Sequence, residues 1–180
     1  MKLFKIFTKE KEEPIKCNRC ETEYNGILLC FGSELPDYYY AIPPNEIKER
    51  VELEKSLCVI DKTHFFHRGR VTIPIIDFKE DLYFDIWTSI SQENFKIRMD
   101  CWNSENRKDF GPYFGWIQNQ IPTYENTINI KSIAIEQDAG VIPEIEITEE
   151  NHQLAIDQKN GITYQKAMEI VKFISQSNNK

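Results

Sequence analysis

Cys17 and Cys20, with two residues between them, are the side chains of this sequence best suited to chemistry. Two thiolates at that spacing can bind one zinc ion, but a closed structural site takes four ligands. No second Cys-x-x-Cys follows. Cys58 or Cys30 would have to add a third thiolate, and His64 an imidazole; both donor types suit zinc. Cys30 lies in the apolar run Ile27-Leu28-Leu29-Cys30-Phe31 and Cys58 in Leu57-Cys58-Val59-Ile60, where cysteine serves as a small core residue. The cluster therefore reads either as a zinc knuckle, with zinc the one cofactor it suggests, or as a metal-free turn of the same shape. A catalytic zinc would further need an open position and a placed acid or base.

Other groupings point to binding. On a strand, His64, Phe66 and Arg68 share one face, so an imidazole and a guanidinium could meet an anionic ligand there, with Trp116 beside Gly115 lining the groove. The bland reading is a structural strand with its polar residues in solvent. Tyr38, Tyr39 and Tyr40 stand in a loop bounded by Pro36 and Pro43. Each ring offers a large face and a polar tip, for recognition or for packing the loop onto the fold. Glu144 and Glu146 share a strand face, as a metal or proton-donor pair or as the solvated side of a hairpin. His152 stands where a helix begins, the place of a cap. There is no Gly-x-Ser-x-Gly elbow and no phosphate loop. No catalytic residue is assigned.

The elements that would position these residues are read from periodicity. A knuckle is expected over 15–31, with Cys17–Cys20 in its turn and 27–31 returning as a strand. Pro44-Asn45-Glu46 opens a short helix. Strands are expected at 57–60, at 65–75 with a bend at Gly69, and at 82–90. Ser91 caps a helix with Phe95, Ile97 or Arg98, Met99 and Trp102 at helical spacing. Further strands are expected at 113–117, 128–135 and 142–147, the last two as a hairpin. Gly161 ends one helix, and Thr163 caps a last one. Helices appear singly among strands, without βαβ alternation, so the fold class is α+β: a mostly antiparallel sheet with a few helices packed on it. Residues 1–13 read as a charged leader and 14–177 as one domain.

The chain has 180 residues, 41% apolar and 28% charged, which suits a folded domain with a sizeable core. Its net charge of −7 opposes nonspecific binding to nucleic acid. No stretch is long and apolar enough to span a membrane. No export signal is apparent, and five cysteines are an odd number, so a reducing cytoplasmic setting is expected.

Several strings together resemble the bacterial family known as domain of unknown function 2199. They are Cys17-Asn-Arg-Cys20, Pro36-Asp-Tyr-Tyr-Tyr-Ala-Ile-Pro43, Leu57-Cys-Val-Ile-Asp61 with His64-Phe-Phe66 and Arg68-Gly69, Trp87-Thr-Ser-Ile-Ser91 with Glu93-Asn-Phe95, Tyr113-Phe-Gly-Trp116, and Asn151-His152 with Leu154-Ala155 and Gly161-Ile162. The family pattern places Gly and His after its cysteine pair, where this chain has Glu21 and Tyr24. That departure removes one histidine from the zinc set. The resemblance carries fold boundaries and no activity. The resulting expectation is a binding or protein-interaction domain, with a zinc-dependent enzyme or a binder of small anions as the alternatives.

Overall fold

A computed structural model describes residues 14–16, 23–25 and 28–177. The leader and the cysteines at 17 and 20 lie outside the described residues. Two short strands, β1 (Pro14–Lys16) and β2 (Glu23–Asn25), pair antiparallel on either side of the Cys-x-x-Cys segment. The expected hairpin therefore exists, but its second strand is β2 and not the apolar run after it. Leu29 and Cys30 are buried, and β3 (Cys30–Gly32) instead lies parallel to a central strand. Burial of an apolar run outweighs continuation of a small hairpin that could cover only one of its faces.

After a tyrosine-bearing 3-10 turn come α1 (Ile47–Arg50), β4 (Val51–Leu53) and β5 (Leu57–Ile60). The centre is the antiparallel pair of β6 (His64–Ile73), which the short β7 (Ile75–Ile76) extends after Pro74, and β8 (Leu82–Ile90). Nine residue pairs run from Phe65↔Ile90 to Ile73↔Leu82. Successive side chains alternate between faces. Val71, Ile73, Leu82, Phe84 and Ile86 thus enter the main core, while Phe66 and Trp87 face outward into a second cluster with Ile42, Cys58 and Ile60.

The sheet is mostly antiparallel, as expected, but with parallel pairings it is mixed, and it curls until it meets itself. Helix α2 (Gln92–Asp100) leads to β9 (Tyr113–Trp116), β10 (Lys131–Ile135) and β11 (Glu144–Ile147). β9 pairs antiparallel with β10 and β10 with β11, but β11 lies parallel to β6 at Glu144↔Arg70. The ring closes where Thr88 bridges Ile117 and the Gln118 amide donates to the Trp87 carbonyl at 2.8 Å. Two glycines permit this closure. A side chain at Gly69 would overlap Ile145, and one at Gly115 would overlap the Ser89 carbonyl oxygen. Gly69 is therefore a contact point between strands, where a bend was expected. The β10 strand is shorter than expected because Asn129 turns through a positive φ of 62°.

α3 (Gln153–Asn160) begins at His152, whose Nδ1 accepts from the Leu154 amide at 3.1 Å, so this histidine is a cap. Gly161, at φ 75°, ends it. β12 (Ile162–Thr163) pairs parallel with β7, and α4 (Tyr164–Ser177) adds Ala167, Ile170 and Ile174 to the main core.

Replacing Gly115 by Ala drives Cβ into backbone that cannot yield. Urea unfolding is expected to show a loss of about 3 kcal/mol or more, the upper range for overpacking. At Gly140 an added Cβ meets nothing within 4 Å, so Gly140→Ala is expected to lose only about 1 kcal/mol from its positive φ.

Candidate functional site

Inside the closed sheet lies a polar cluster that sequence reasoning missed. Helix α2 begins after a Ser91 cap, whose hydroxyl accepts from the Asn94 amide at 3.2 Å. The helical spacing read for it ran through Phe95, Ile97 or Arg98, Met99 and Trp102. Of these Ile97 and Met99 are exposed and Arg98 is 0% exposed. Arg98 Nη1 donates to Glu136 Oε1 at 2.5 Å and to His67 Nδ1 at 3.3 Å. Arg107, from the loop after α2, donates through Nε to Glu136 Oε2 at 2.8 Å. Trp102 covers both guanidiniums, with their carbons 5.5 and 5.1 Å from its ring centre. One buried carboxylate thus holds two buried cations. Burial pulls Arg98 down to about 10, against the opposing pull of Glu136, and it is still charged at neutral pH.

This geometry also sets the state of His67. Arginine only donates, so Nδ1 must accept, and Nε2 carries the proton toward Thr88 Oγ1 at 2.8 Å. The ring is neutral. Burial, then the charges of Arg98 and Arg107, hold its pKa well below the ordinary value. The cluster fastens α2 and the loop after it to the sheet. Helical spacing placed residue 98 among the candidates for the inner face, but nothing local paired it with Glu136, 38 positions away.

The cysteine and histidine candidates are dispersed. Cys58 is 0% exposed in the outer apolar cluster, and burial pushes its thiol up to about 11, the opposite of what a zinc-bound thiolate requires. Cys30 is buried beside the Arg70–Asp85 ion pair. His64 is exposed at the start of β6, with the Tyr38 ring 4.9 Å from its own. Among the described residues no three His, Cys, Asp or Glu side chains gather as a metal site.

The tyrosine loop is fixed at one end and open at the other. Asp37 begins the 3-10 turn Asp37–Ala41 and accepts from the Asn119 side-chain amide at 2.9 Å and the Gln120 backbone amide at 3.0 Å. Tyr39 is half-buried against the outer cluster and meets the Tyr40 ring edge-on at 5.6 Å. Tyr38 and Tyr40 are 39% and 64% exposed. Arg68 donates to the carbonyls of Ser33 and Glu34 and lies 5.3 Å from the centre of the Trp87 ring. It braces the start of this loop.

The same outer face carries a shallow groove of about 290 Å3 where β6, β8, β9 and the start of α2 converge. Its lining includes His64, Phe66, Ser91, Asn94, Phe114 and Trp116, and Tyr38 flanks it through His64 and Phe66. Phe114 and Trp116 are 45% and 43% exposed and meet edge to face at 4.8 Å. Closure of the sheet creates this site. With Tyr113, Gly115 and Ile117 turned inward, Phe114 and Trp116 must point out. Of the residues expected to bind, the structure brings Tyr38 and Trp116 to the groove and leaves Arg68 outside its lining.

A larger cleft of about 830 Å3 runs between β11 and α3, with Glu144, Glu146, Glu150 and Lys159 in its lining. Its more deeply placed polar groups are already engaged. Glu144 accepts from the Thr72 amide at 3.0 Å, and the Gln158 side chain bridges the backbone of Ile145 and Ile147 at 2.7 and 2.9 Å. Burial raises Glu144 above the usual carboxylate range. The cleft is the seam that joins α3 to the sheet, and the aromatic groove is the better recognition surface.

Glu136→Gln would leave two buried guanidiniums without a counter-charge, so chemical denaturation is expected to show a loss of about 3–5 kcal/mol. For His67, the unfolded chain takes up a proton as pH falls through about 6.5 while the folded chain does not. Its contribution is complete above that pH and is expected to decline by up to about 1.4 kcal/mol per pH unit below it. Stability measured from pH 7.5 to 5 in wild type and His67→Gln checks this: the variant should be less stable at pH 7.5 but lose less as pH falls.

No curated protein and no solved structure matches the chain. The family described as an uncharacterized protein conserved in bacteria, domain of unknown function 2199, matches residues 16–162. That span covers most of the described fold, from the hairpin through the start of β12, and the chain belongs to this family.

Proposed function

We propose that this domain is a protein-interaction module and that the aromatic groove at β6, β8 and β9 is its recognition surface. The observation that carries this reading is the outward presentation of Trp116, Phe114 and Tyr38 around one groove on a rigid sheet. Large aromatic side chains lose little conformational freedom on binding and dominate the energetics of interfaces. At about 290 Å3 the groove stands at the lower end of the pockets that enclose small ligands, roughly 300–1,000 Å3, and it suits a segment laid across it. A net charge of −7 favours a basic partner at long range, through the rate of encounter.

The alternatives draw less from the geometry. An anion between Arg68 and Trp116 would have to displace the carbonyls of Ser33 and Glu34 from the guanidinium. A zinc enzyme would need Cys58 to leave an apolar cluster and ionise.

Affinity capture from the host bacterium, with wild type and Phe114→Ala/Trp116→Ala proteins compared at equal loading, tests the proposal. A specific partner is expected with wild type, and about thirtyfold less with the double variant, corresponding to roughly 2 kcal/mol for a hot-spot aromatic. Both residues are exposed, so the variant should retain the wild-type melting profile. Equal recovery with the two proteins would refute the assignment.

A further inference from the structure

The buried cluster around Glu136 is unbalanced in charge. Arg98 and Arg107, both buried, share this one carboxylate, and His67 beside them is neutral. One positive charge is left over in the interior. Asp85 and Asp157, the other buried carboxylates among the described residues, are held by Arg70 and Lys166. Neither is free to neutralise it. An unpaired buried charge is costly, and native interiors pair theirs.

The donors without partners lie on one of these two guanidiniums. Arg98 uses Nη1 alone, for Glu136 and His67. Its Nε and Nη2 are buried and, among the described residues, make no hydrogen bond. These two nitrogens form one edge of the guanidinium, a fork whose N–H bonds point side by side. Elsewhere in this protein the same edge takes an anion. Arg50 gives Nε and Nη2 to the two oxygens of Asp61, both at 2.7 Å, and Arg70 gives the same pair to Asp85 at 2.7 and 3.0 Å. No carboxylate is bonded to the fork of Arg98. The Trp102 ring, 5.5 Å from its central carbon, is at most a weak acceptor and brings no negative charge. The Tyr113 hydroxyl, within electrostatic reach of Arg98, is also buried and finds no oxygen or nitrogen acceptor.

We infer that Arg98 holds a buried halide ion, chloride under ordinary conditions, on its Nε–Nη2 edge. A halide supplies the single negative charge that the cluster lacks. It has no directional lone pairs to satisfy and no proton to place, so the two N–H groups of the fork can hold it, with the Tyr113 hydroxyl as a further donor. A planar oxyanion would bring additional oxygens, and those left without donors would be buried at a cost. A water molecule would accept from the fork but leave the charge uncompensated, and its own O–H groups would need acceptors there.

Thermal melting of the full chain tests the inference. As sodium chloride replaces sodium gluconate at a constant ionic strength of about 0.3 M, the melting temperature is expected to rise by about 3 °C or more, because a ligand of the folded state stabilises it by mass action. Constant ionic strength holds screening fixed. Gluconate is far bulkier than a halide and is the more strongly excluded from protein surfaces, so a nonspecific salt effect would run the other way. In Arg98→Met the fork is gone and Arg107 alone balances Glu136, so the response to chloride should fall below about 1 °C. If that variant does not fold, wild-type crystals grown in sodium bromide decide the matter. An anomalous peak is expected within hydrogen-bonding reach of Arg98 Nε and Nη2. A melting temperature insensitive to the exchange, an equal response in Arg98→Met, or water on the fork in the bromide crystals would each overturn the inference. A bromide peak there without the chloride response would mark an adventitious ion only, and would overturn it as well.

Discussion

The ring depends on the meeting of β9 with β8, where Gly115 lies so near Ser89 that an added Cβ would overlap the Ser89 carbonyl oxygen. Without it the sheet would remain an open, twisted layer with two edges. With it, β8, β6, β11, β10 and β9 form a closed ring, and each strand has one face inside and one outside. Side-chain alternation then assigns each residue of β9 to the interior or to the surface. Tyr113 and Ile117 join the core, while Phe114 and Trp116 stand on the outer surface beside the start of β6. A glycine is required because any Cβ would meet a carbonyl oxygen that the β6–β8 ladder holds in place. The candidate binding surface is therefore a consequence of how the fold closes.

Closure also makes an interior, and that interior is not wholly apolar. Glu136 sits between Arg98 and Arg107, with neutral His67 against Arg98 and Trp102 over both guanidiniums. Buried ion pairs stabilise little relative to well-packed apolar side chains, but removal of one member is costly because a charge is stranded. Their use here is positional. α2 has weakly patterned apolar residues and would dock in several rotations on hydrophobicity alone. A charged side chain with one acceptable partner selects one of them. The start of α2, including Ser91 and Asn94, is in turn one wall of the aromatic groove.

The legible parts of the fold were those governed by local rules. Residues 82–90 read as a strand from their composition, and the structure forms β8 there. The caps at Ser91 and His152 and the stop at Gly161 arise from side-chain and backbone chemistry within a turn. Tyr38 and Trp116 were binding candidates because a tyrosine in a proline-bounded loop offers a large face with a polar tip and Gly115 permits close approach beside Trp116, although packing into the fold was the competing reading for both. The misreadings involved distant partners. Leu29 and Cys30 looked like the return of a small hairpin, yet Cys30 pairs with Tyr83 of β8, more than 50 positions on. Arg68 looked available for an anion, but its guanidinium braces a loop that begins at Ser33. Arg107 stands in no strand or helix read from the sequence, and its partner Glu136 lies 29 positions on.

By itself, the order of residues determined the longer strands and helices, such as β6, β8, α3 and α4, which of their positions alternate between two faces, and which family the strings resemble, because these depend on neighbours within a few positions. Tertiary structure alone decided that β11 would run parallel to β6, that the ring would close at Gly115, and that Phe114 and Trp116 would line one groove with His64, flanked by Tyr38. Those outcomes depend on contacts between residues about 20 to 80 positions apart. The energy of such a contact arises only when both partners are desolvated together, and no local pattern records it.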